Sequence, residues 1–174
     1  MKEEIKTILW DFDGVILDSM AVRDWGFREI FKNFSEEQVS RLLEYHRING
    51  GLSRYVKIRY FYEEILGEPI TEEKVLEYAE TFSVLMKREL INPENLIKDA
   101  VTFIKENYQN YNFHIVSGSD QEELRFLCKE LEIDSYFISI QGSPTPKKHL
   151  IKALLEEHDY KENSTCLVGN SIND

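Results

Sequence analysis

Asp11 and Asp13 stand two residues apart, followed by Gly14, where the apolar run of Ile5, Ile8, Leu9 and Trp10 stops. Side chains alternate faces along a strand, so carboxylates two apart at a strand end can face the same side. Such a like-charged pair is costly unless a cation neutralises it, and hard oxygen ligands suit Mg²⁺. Complementary groups recur at three later points: Ser117 after Phe113-His114-Ile115-Val116, Lys147 in the loop after Pro144 and Pro146, and Asn170 and Asp174 after Thr165-Cys166-Leu167-Val168. A hydroxyl where a helix begins suits a phosphate, because the free N–H groups and the helix dipole favour an anion there. A lysine adds a point charge. Together these residue types describe a site for a Mg²⁺-assisted phosphoryl group, with a carboxylate able to attack it.

The elements that must position these groups follow from the hydrophobic pattern. Short apolar runs that stop at acidic, Gly or Ser residues read as buried parallel strands, and here they cover the run ending at Trp10, residues 113–116, 136–140 and 165–168. Helices are expected over 94–108, 120–132 and 147–158, the second opened by a capping box of Ser119 and Glu122. Strands alternating with helices make a doubly wound α/β core, in which ligands bind outside the carboxyl ends of the strands. Residues from about 20 to 92 break the alternation. They carry helical spacing (Val39, Leu42, Leu43, His46), N-cap signals at Ser35 and Thr71, and breaks at Gly50-Gly51, Gly67-Glu68-Pro69 and Asn92-Pro93, which suggests about four helices and no strand. The expected organisation is therefore an α/β core from residues 1–16 and 93–174 and an inserted all-helical cap at 17–92, with Trp25, Phe27, Phe31, Phe34, Tyr60, Phe61 and Tyr62 as cap core.

The Asp11-Phe12-Asp13-Gly14-Val15 segment resembles the DxDGV signature of the haloacid dehalogenase superfamily. Ser117, Lys147 and Gly169-Asn170-Ser171-Ile172-Asn173-Asp174 resemble that family's second, third and fourth motifs, in order and across essentially the whole chain. The helical insertion is similar to the C1 cap of the phosphoglycolate phosphatase and β-phosphoglucomutase branch. The resemblance implies that Asp11 attacks phosphorus and that Asp13 protonates the leaving oxygen and then activates water. It also implies that Ser117, the Gly118 N–H and Lys147 hold the phosphoryl oxygens, the Pro-x-Pro-Lys spacing choosing Lys147 over Lys148. Mg²⁺ would be held by Asp11, the Asp13 carbonyl, Asn170 and Asp174. Dehalogenases of the superfamily lack an acid at the position of Asp13, so phosphoryl transfer is implied rather than carbon–halogen hydrolysis. The chain departs from the pattern twice. Asn170 stands where the family has an Asp that ligates Mg²⁺. The family also continues past the fourth motif with a helix and a further strand, so this core reads as C-terminally truncated, with the strand at 165–168 on a sheet edge. These departures keep a catalytically impaired or non-catalytic domain open beside the phosphatase, and a phosphomutase is a third alternative.

In the cap, Arg41, His46, Arg47, Arg54, Lys57 and Arg59 concentrate positive charge around Gly50-Gly51. Arg47, Gly50, Gly51 and Arg54, with Arg23 nearer the core, are the candidates for reading a second anionic group on the substrate; a solvated helix face is the alternative. His46 is expected as a surface residue, and Asp18 and Ser19 as helix caps. The net charge of −11 disfavours binding to nucleic acid or anionic membrane surfaces, leaving a small phosphorylated metabolite as the expected partner. No apolar run suits a signal peptide or a membrane span, so a cytoplasmic location is expected. Cys128 and Cys166 are expected as free thiols in apolar surroundings.

Overall fold

The computed structural model describes residues 4–171. Four parallel strands form one sheet in the order β3-β2-β1-β4, with β1 at Thr7–Trp10, β2 at Asn112–Asp120, β3 at Ser139–Ser143 and β4 at Thr165–Val168. Between β1 and β2 the chain builds α1 (Met20–Ile30), α2 (Glu36–Ile48), α3 (Arg54–Tyr60), a π-helical turn (Phe61–Leu66) and α4 (Glu72–Glu89), followed by α5 (Lys98–Asn107). The helices α6 (Gln121–Glu130) and α7 (Lys147–Glu157) connect the remaining strands. The fold is thus α/β, with a helical insertion that carries no strand among the described residues.

The sheet separates two apolar layers because neighbouring residues of each strand face opposite ways. Ile8, Trp10, Phe113 and Ile115 pack with Val101 and Ile104 of α5 and Leu124, Leu127 and Cys128 of α6. Leu9 and Val116 pack with Leu150 and Leu154 of α7 on the other face. The first layer continues through Phe12, Ile16 and Leu17 into the insertion, where Phe27, Phe31, Phe61 and Phe82 are buried. The Phe31 and Phe61 rings stack with centroids 4.1 Å apart. The aromatics expected as cap core are buried or pack against that core. Cys128 is buried, Cys166 is half-buried, and both are free thiols.

Local signals behave as their chemistry dictates in most places. Ser35 accepts from Gln38 N–H while Gln38 reaches back to Ser35 N–H, a full capping box. Thr71 caps α4 through Lys74 N–H. Three expectations are corrected. The strand expected at 136–140 lies at Ser139–Ser143, and Asp134–Tyr136 forms a 3-10 turn. There the apolar Ile133 and Phe137 pack on the core, while the polar segment pairs with β2, in the register His114 to Ser139. The helix expected at 94–108 begins only at Lys98, because Asn92 caps a separate 3-10 turn at Pro93–Asn95. Finally, α6 is capped by Asp120, which accepts from Glu123 N–H at 3.1 Å, rather than by Ser119. β2 runs on past Ser117 to Asp120, and Ser119 is used elsewhere.

One buried group in this core gives stability a pH dependence. His114 is fully buried on β2, with Nδ1 2.7 Å from Ser139 Oγ and Nε2 3.0 Å from Tyr160 Oη. Burial, with His158 nearby, pulls its pKa from 6.5 down to about 4. The unfolded chain therefore binds the proton that the folded chain refuses. This contribution to stability is complete above about pH 6.5 and is lost as pH falls towards 4. The melting temperature is expected to fall between pH 6.5 and 4.5, and to fall less steeply for His114→Gln. A parallel pH dependence in the two proteins would contradict the assignment to His114.

Candidate active site

Asp11 follows β1 directly and extends its ladder, its N–H donating to Val168 O at 2.8 Å. Its carboxylate is almost wholly buried. Oδ1 accepts from Phe12 N–H at 2.7 Å and Oδ2 lies 3.2 Å from Lys147 Nζ. Lys147 is itself buried as the first residue of α7, whereas Lys148 is exposed. Of the two lysines, Lys147 turns inward, onto Asp11, and Lys148 faces solvent.

Asp13 is held by three donors. Ser19 Oγ and Arg23 Nε, the latter at 2.8 Å, donate to Oδ1, and Ser119 Oγ donates to Oδ2. Burial alone would raise its pKa, but the Arg23 charge and the hydrogen bonds from Ser119, Ser19 and Arg23 outweigh it and hold Asp13 at about 2. Asp13 is therefore ionised at neutral pH. Two expectations change here. Ser19 precedes α1 but makes no side-chain cap; its hydroxyl serves Asp13. Ser119 does the same from the end of β2.

The turn after Asp13 requires a glycine. Gly14 has φ +75°, and a Cβ there would lie 2.1 Å from the Asn170 amide nitrogen. The Asn170 side chain therefore sits against the Asp11–Gly14 turn, at the end of the neighbouring strand. Asp174, the other expected metal ligand on this side, lies outside the described residues. Ser117 is buried at the end of the apolar part of β2, its Oγ accepting from Ser119 N–H at 3.1 Å. A Cβ on Gly118 would lie 2.2 Å from Gly51 O, so the Gly50-Gly51 loop of the insertion rests directly on β2 at Ser117-Gly118. Gly51 N–H also donates to Ser171 Oγ at 3.0 Å.

The insertion meets the core through a buried charge network. Glu123, fully buried on α6, accepts from Arg23 Nη1 of α1 at 2.7 Å through Oε1 and from Arg54 Nη2 of α3 at 2.5 Å through Oε2. Arg54 also donates to Ser83 Oγ at 2.6 Å and lies 4.6 Å from the centre of the Phe82 ring. Tyr55 Oη donates to Asp120 at 2.7 Å. Between insertion and core lies a cavity of about 30 Å³, room for a couple of water molecules, lined by Asp13, Arg23, Arg54, Lys57, Gly118 and Ser119 among others.

The cap candidates divide on these contacts. Arg23, Gly50 and Arg54 line the cavity, and Gly51 lines the adjoining cleft with Gly118 and Lys147. Arg47 does not reach it: that side chain is exposed and pairs with Asp24 at 2.7 Å, because its place on α2 turns it to solvent. His46, expected at the surface, is instead buried in the cavity wall with Nδ1 2.8 Å from Lys57 Nζ. Sequence reasoning missed Glu123 altogether. Its only signal was an acidic residue at the third position of a helix, which also describes many surface residues.

A family profile described as haloacid dehalogenase-like hydrolase matches residues 8–174. The chain belongs to the haloacid dehalogenase-like hydrolases. No curated protein matches it. Solved structures of haloacid dehalogenase-like hydrolases share its fold. A family hydrolase from Streptococcus pneumoniae is 20% identical with a TM-score of 0.68, covering 98% of this chain and 78% of its own. A predicted phosphoglycolate phosphatase from Haemophilus somnus is 15% identical with a TM-score of 0.71, covering 100% and 80%. The HAD-hydrolase YfnB from Bacillus subtilis, solved bound to magnesium, is 16% identical with a TM-score of 0.70, covering 98% and 82%. Among the described residues, no helix is long and apolar enough to cross a membrane.

Proposed function

We propose that this haloacid dehalogenase-like hydrolase is a Mg²⁺-dependent phosphatase of a small phosphorylated metabolite, acting through an aspartyl-phosphate. The observation that carries the reading is the buried Asp11 carboxylate at a strand end, facing Lys147 and two residues before a fully hydrogen-bonded Asp13. Residues 17–92 act as the cap and the remainder as the core.

The donors around Asp11 fit a hard divalent cation. The Asp11 carboxylate, the Asp13 main-chain carbonyl and the Asn170 amide are all oxygen donors, and the Asn170 side chain lies against the turn that carries the other two. Among the described residues, no three His, Cys, Asp or Glu side chains cluster to hold a metal; the described set relies on one carboxylate, a carbonyl and an amide, and Asp174, the further carboxylate the resemblance implies, lies outside the described residues. Bound Mg²⁺ would offset the negative charge that builds on the phosphoryl oxygens.

The chain's own residues then divide the work. Asp11 attacks phosphorus as the bond to the leaving oxygen breaks, and that oxygen takes a proton from Asp13. Water attacks the phosphorus of the aspartyl-phosphate, giving a proton to Asp13 and releasing Asp11 and phosphate. Ser117, the Gly118 N–H and Lys147 hold the phosphoryl oxygens. At about pKa 2 Asp13 is ready to accept a proton but not to donate one. An arriving phosphate dianion, a like charge, raises that pKa and makes the first proton transfer accessible.

Hydrolysis of an aryl phosphate by the purified chain tests the reading: turnover that appears with Mg²⁺ and stops on chelation supports it, and none between pH 5 and 8 with millimolar Mg²⁺ overturns it. Asn170 favours a variant of the same reading in which the metal is held weakly, because an amide brings no charge. Asn170→Asp is expected to lower the half-saturating Mg²⁺ concentration by on the order of tenfold. An unchanged Mg²⁺ dependence would remove Asn170 from the metal site.

A further inference from the structure

Ser143 ends β3 at the carboxyl edge of the sheet, where ligands of such sheets bind. Its side chain is 1% exposed, yet among the described residues its Oγ has no hydrogen-bond partner. A buried hydroxyl left unpaired destabilises a fold, and native structures rarely keep one without a water, ion or ligand to meet it. Alanine would fill nearly the same space without that penalty. Ser143 lines the cleft that adjoins the Gly51–Gly118 contact, together with Gly118 of β2 and Lys147 of α7. The cleft offers about 270 Å³, enough for a phosphate, against about 30 Å³ in the cavity beside Asp13.

The start of α7, which lines the same cleft, also lacks an anion. Pro146 stands at its N-cap and gives the first turn no side-chain acceptor. That turn holds no acidic residue, and the first two residues of the helix are Lys147 and Lys148. Cations at a helix N-terminus oppose the helix dipole, whereas an anion there is favoured by the dipole and by the N–H groups. Lys147 faces Asp11, but Lys148 is exposed at the cleft. A buried hydroxyl without an acceptor and a basic helix start without a cap therefore meet in one cleft.

We propose that Ser143 is a further ligand-binding residue of this site, its hydroxyl donating to an oxygen of a phosphoryl group held beside the Gly118 N–H and Lys147. This rests on the phosphatase reading above and adds to it a contact from β3. With no partner to fix it, the hydroxyl turns about χ1 to meet an arriving oxygen. A phosphate dianion is a stronger acceptor than any neutral group, so the bond is made when ligand binds and is missing from the ligand-free fold.

Two readouts test this: calorimetric titration with inorganic phosphate in the presence of Mg²⁺, and melting curves of the ligand-free chain. Ser143→Ala is expected to bind phosphate about tenfold more weakly, the scale of a hydrogen bond to a charged group. The same variant, without ligand, should melt at or above the temperature of the parent. A serine kept for structure would do the reverse, and a lower melting temperature with unchanged phosphate affinity overturns the proposal. Ser143→Cys, close in size but a weak donor, should lose affinity as Ser143→Ala does, and it decides the matter should the alanine variant fail to fold. Lys147→Met tells the two readings apart. If it weakens phosphate binding and neither change at Ser143 does, the phosphate site stands and the role of Ser143 falls. A parent chain that binds no phosphate overturns the proposal as well, while hydrolysis of an aryl phosphate still decides the phosphatase reading by itself.

Discussion

Asp11→Asn should lower Mg²⁺-dependent aryl phosphate hydrolysis by at least about a thousandfold, the scale on which enzymes lose rate when an essential nucleophile is removed. The substitution is nearly isosteric. The side-chain oxygen that accepts from Phe12 N–H can be kept, and Asp11 is almost wholly buried among partners of fixed position, so the fold has little reason to change. What goes is the charge facing Lys147 and, on the proposed mechanism, the oxygen that would attack phosphorus. The fair comparison pairs steady-state rates with melting curves. A variant that melts like the parent but hydrolyses at background assigns the loss to chemistry. Residual activity within tenfold of the parent would mean that another group attacks phosphorus, and the aspartyl-phosphate route would fail.

The second large effect is expected on stability. Glu123 is fully buried and accepts from two buried arginines that come from different helices of the insertion. Replacing a buried pair by a well-packed apolar group can cost little, but removing one partner leaves the other charge stranded. Glu123→Gln removes the carboxylate that faces Arg54 and one of the two that face Arg23, and should cost about 3–5 kcal/mol. For a chain of this size that corresponds to a fall of roughly 6–20 °C in melting temperature. Combining Glu123→Leu with Arg54→Met should recover part of the loss, since the second change removes one stranded charge. A shift below about 2 °C for Glu123→Gln would show that water reaches the seam and replaces the carboxylate. Tyr55 and Asp120, which bridge the same seam nearer its edge, serve as the comparison: Tyr55→Phe removes a neutral hydroxyl and should cost about 1 kcal/mol.

The parts of the site legible in the sequence are those fixed by backbone position. Asp11, Ser117, Lys147 and Asn170 each sit where a strand or its following loop ends, and hydrophobic patterning finds strand ends. The preference for Lys147 over Lys148 rests on the resemblance of the Pro-x-Pro-Lys spacing to the family's, not on position. Position alone fails where long side chains decide. Arg47 and Arg54 looked equivalent in sequence, yet one turns to solvent and the other runs 69 residues across the chain to Glu123. His46 read as a surface residue although it shares the helical spacing of Val39, Leu42 and Leu43, and that spacing is the buried face of α2. β3 was misplaced because Ser-Ile-Gln-Gly-Ser carries no alternation, whereas the Tyr136-Phe137 aromatics that suggested a strand fill the core from a turn. Ser119 fits the capping pattern, but its hydroxyl contributes more to Asp13, and Asp120 caps the helix instead.

The seam between insertion and core also has a kinetic meaning. The space of about 30 Å³ beside Asp13 holds waters, whereas the adjoining cleft at Gly51, Gly118 and Lys147 offers about 270 Å³. On the phosphatase reading, placing a leaving group beside Asp13 would separate Gly51 from Ser171 and loosen the Glu123 and Tyr55 bridges. On that reading the ceiling on turnover would be set by residues that never touch phosphorus, and a more viscous solvent would slow hydrolysis even where the chemistry is fast.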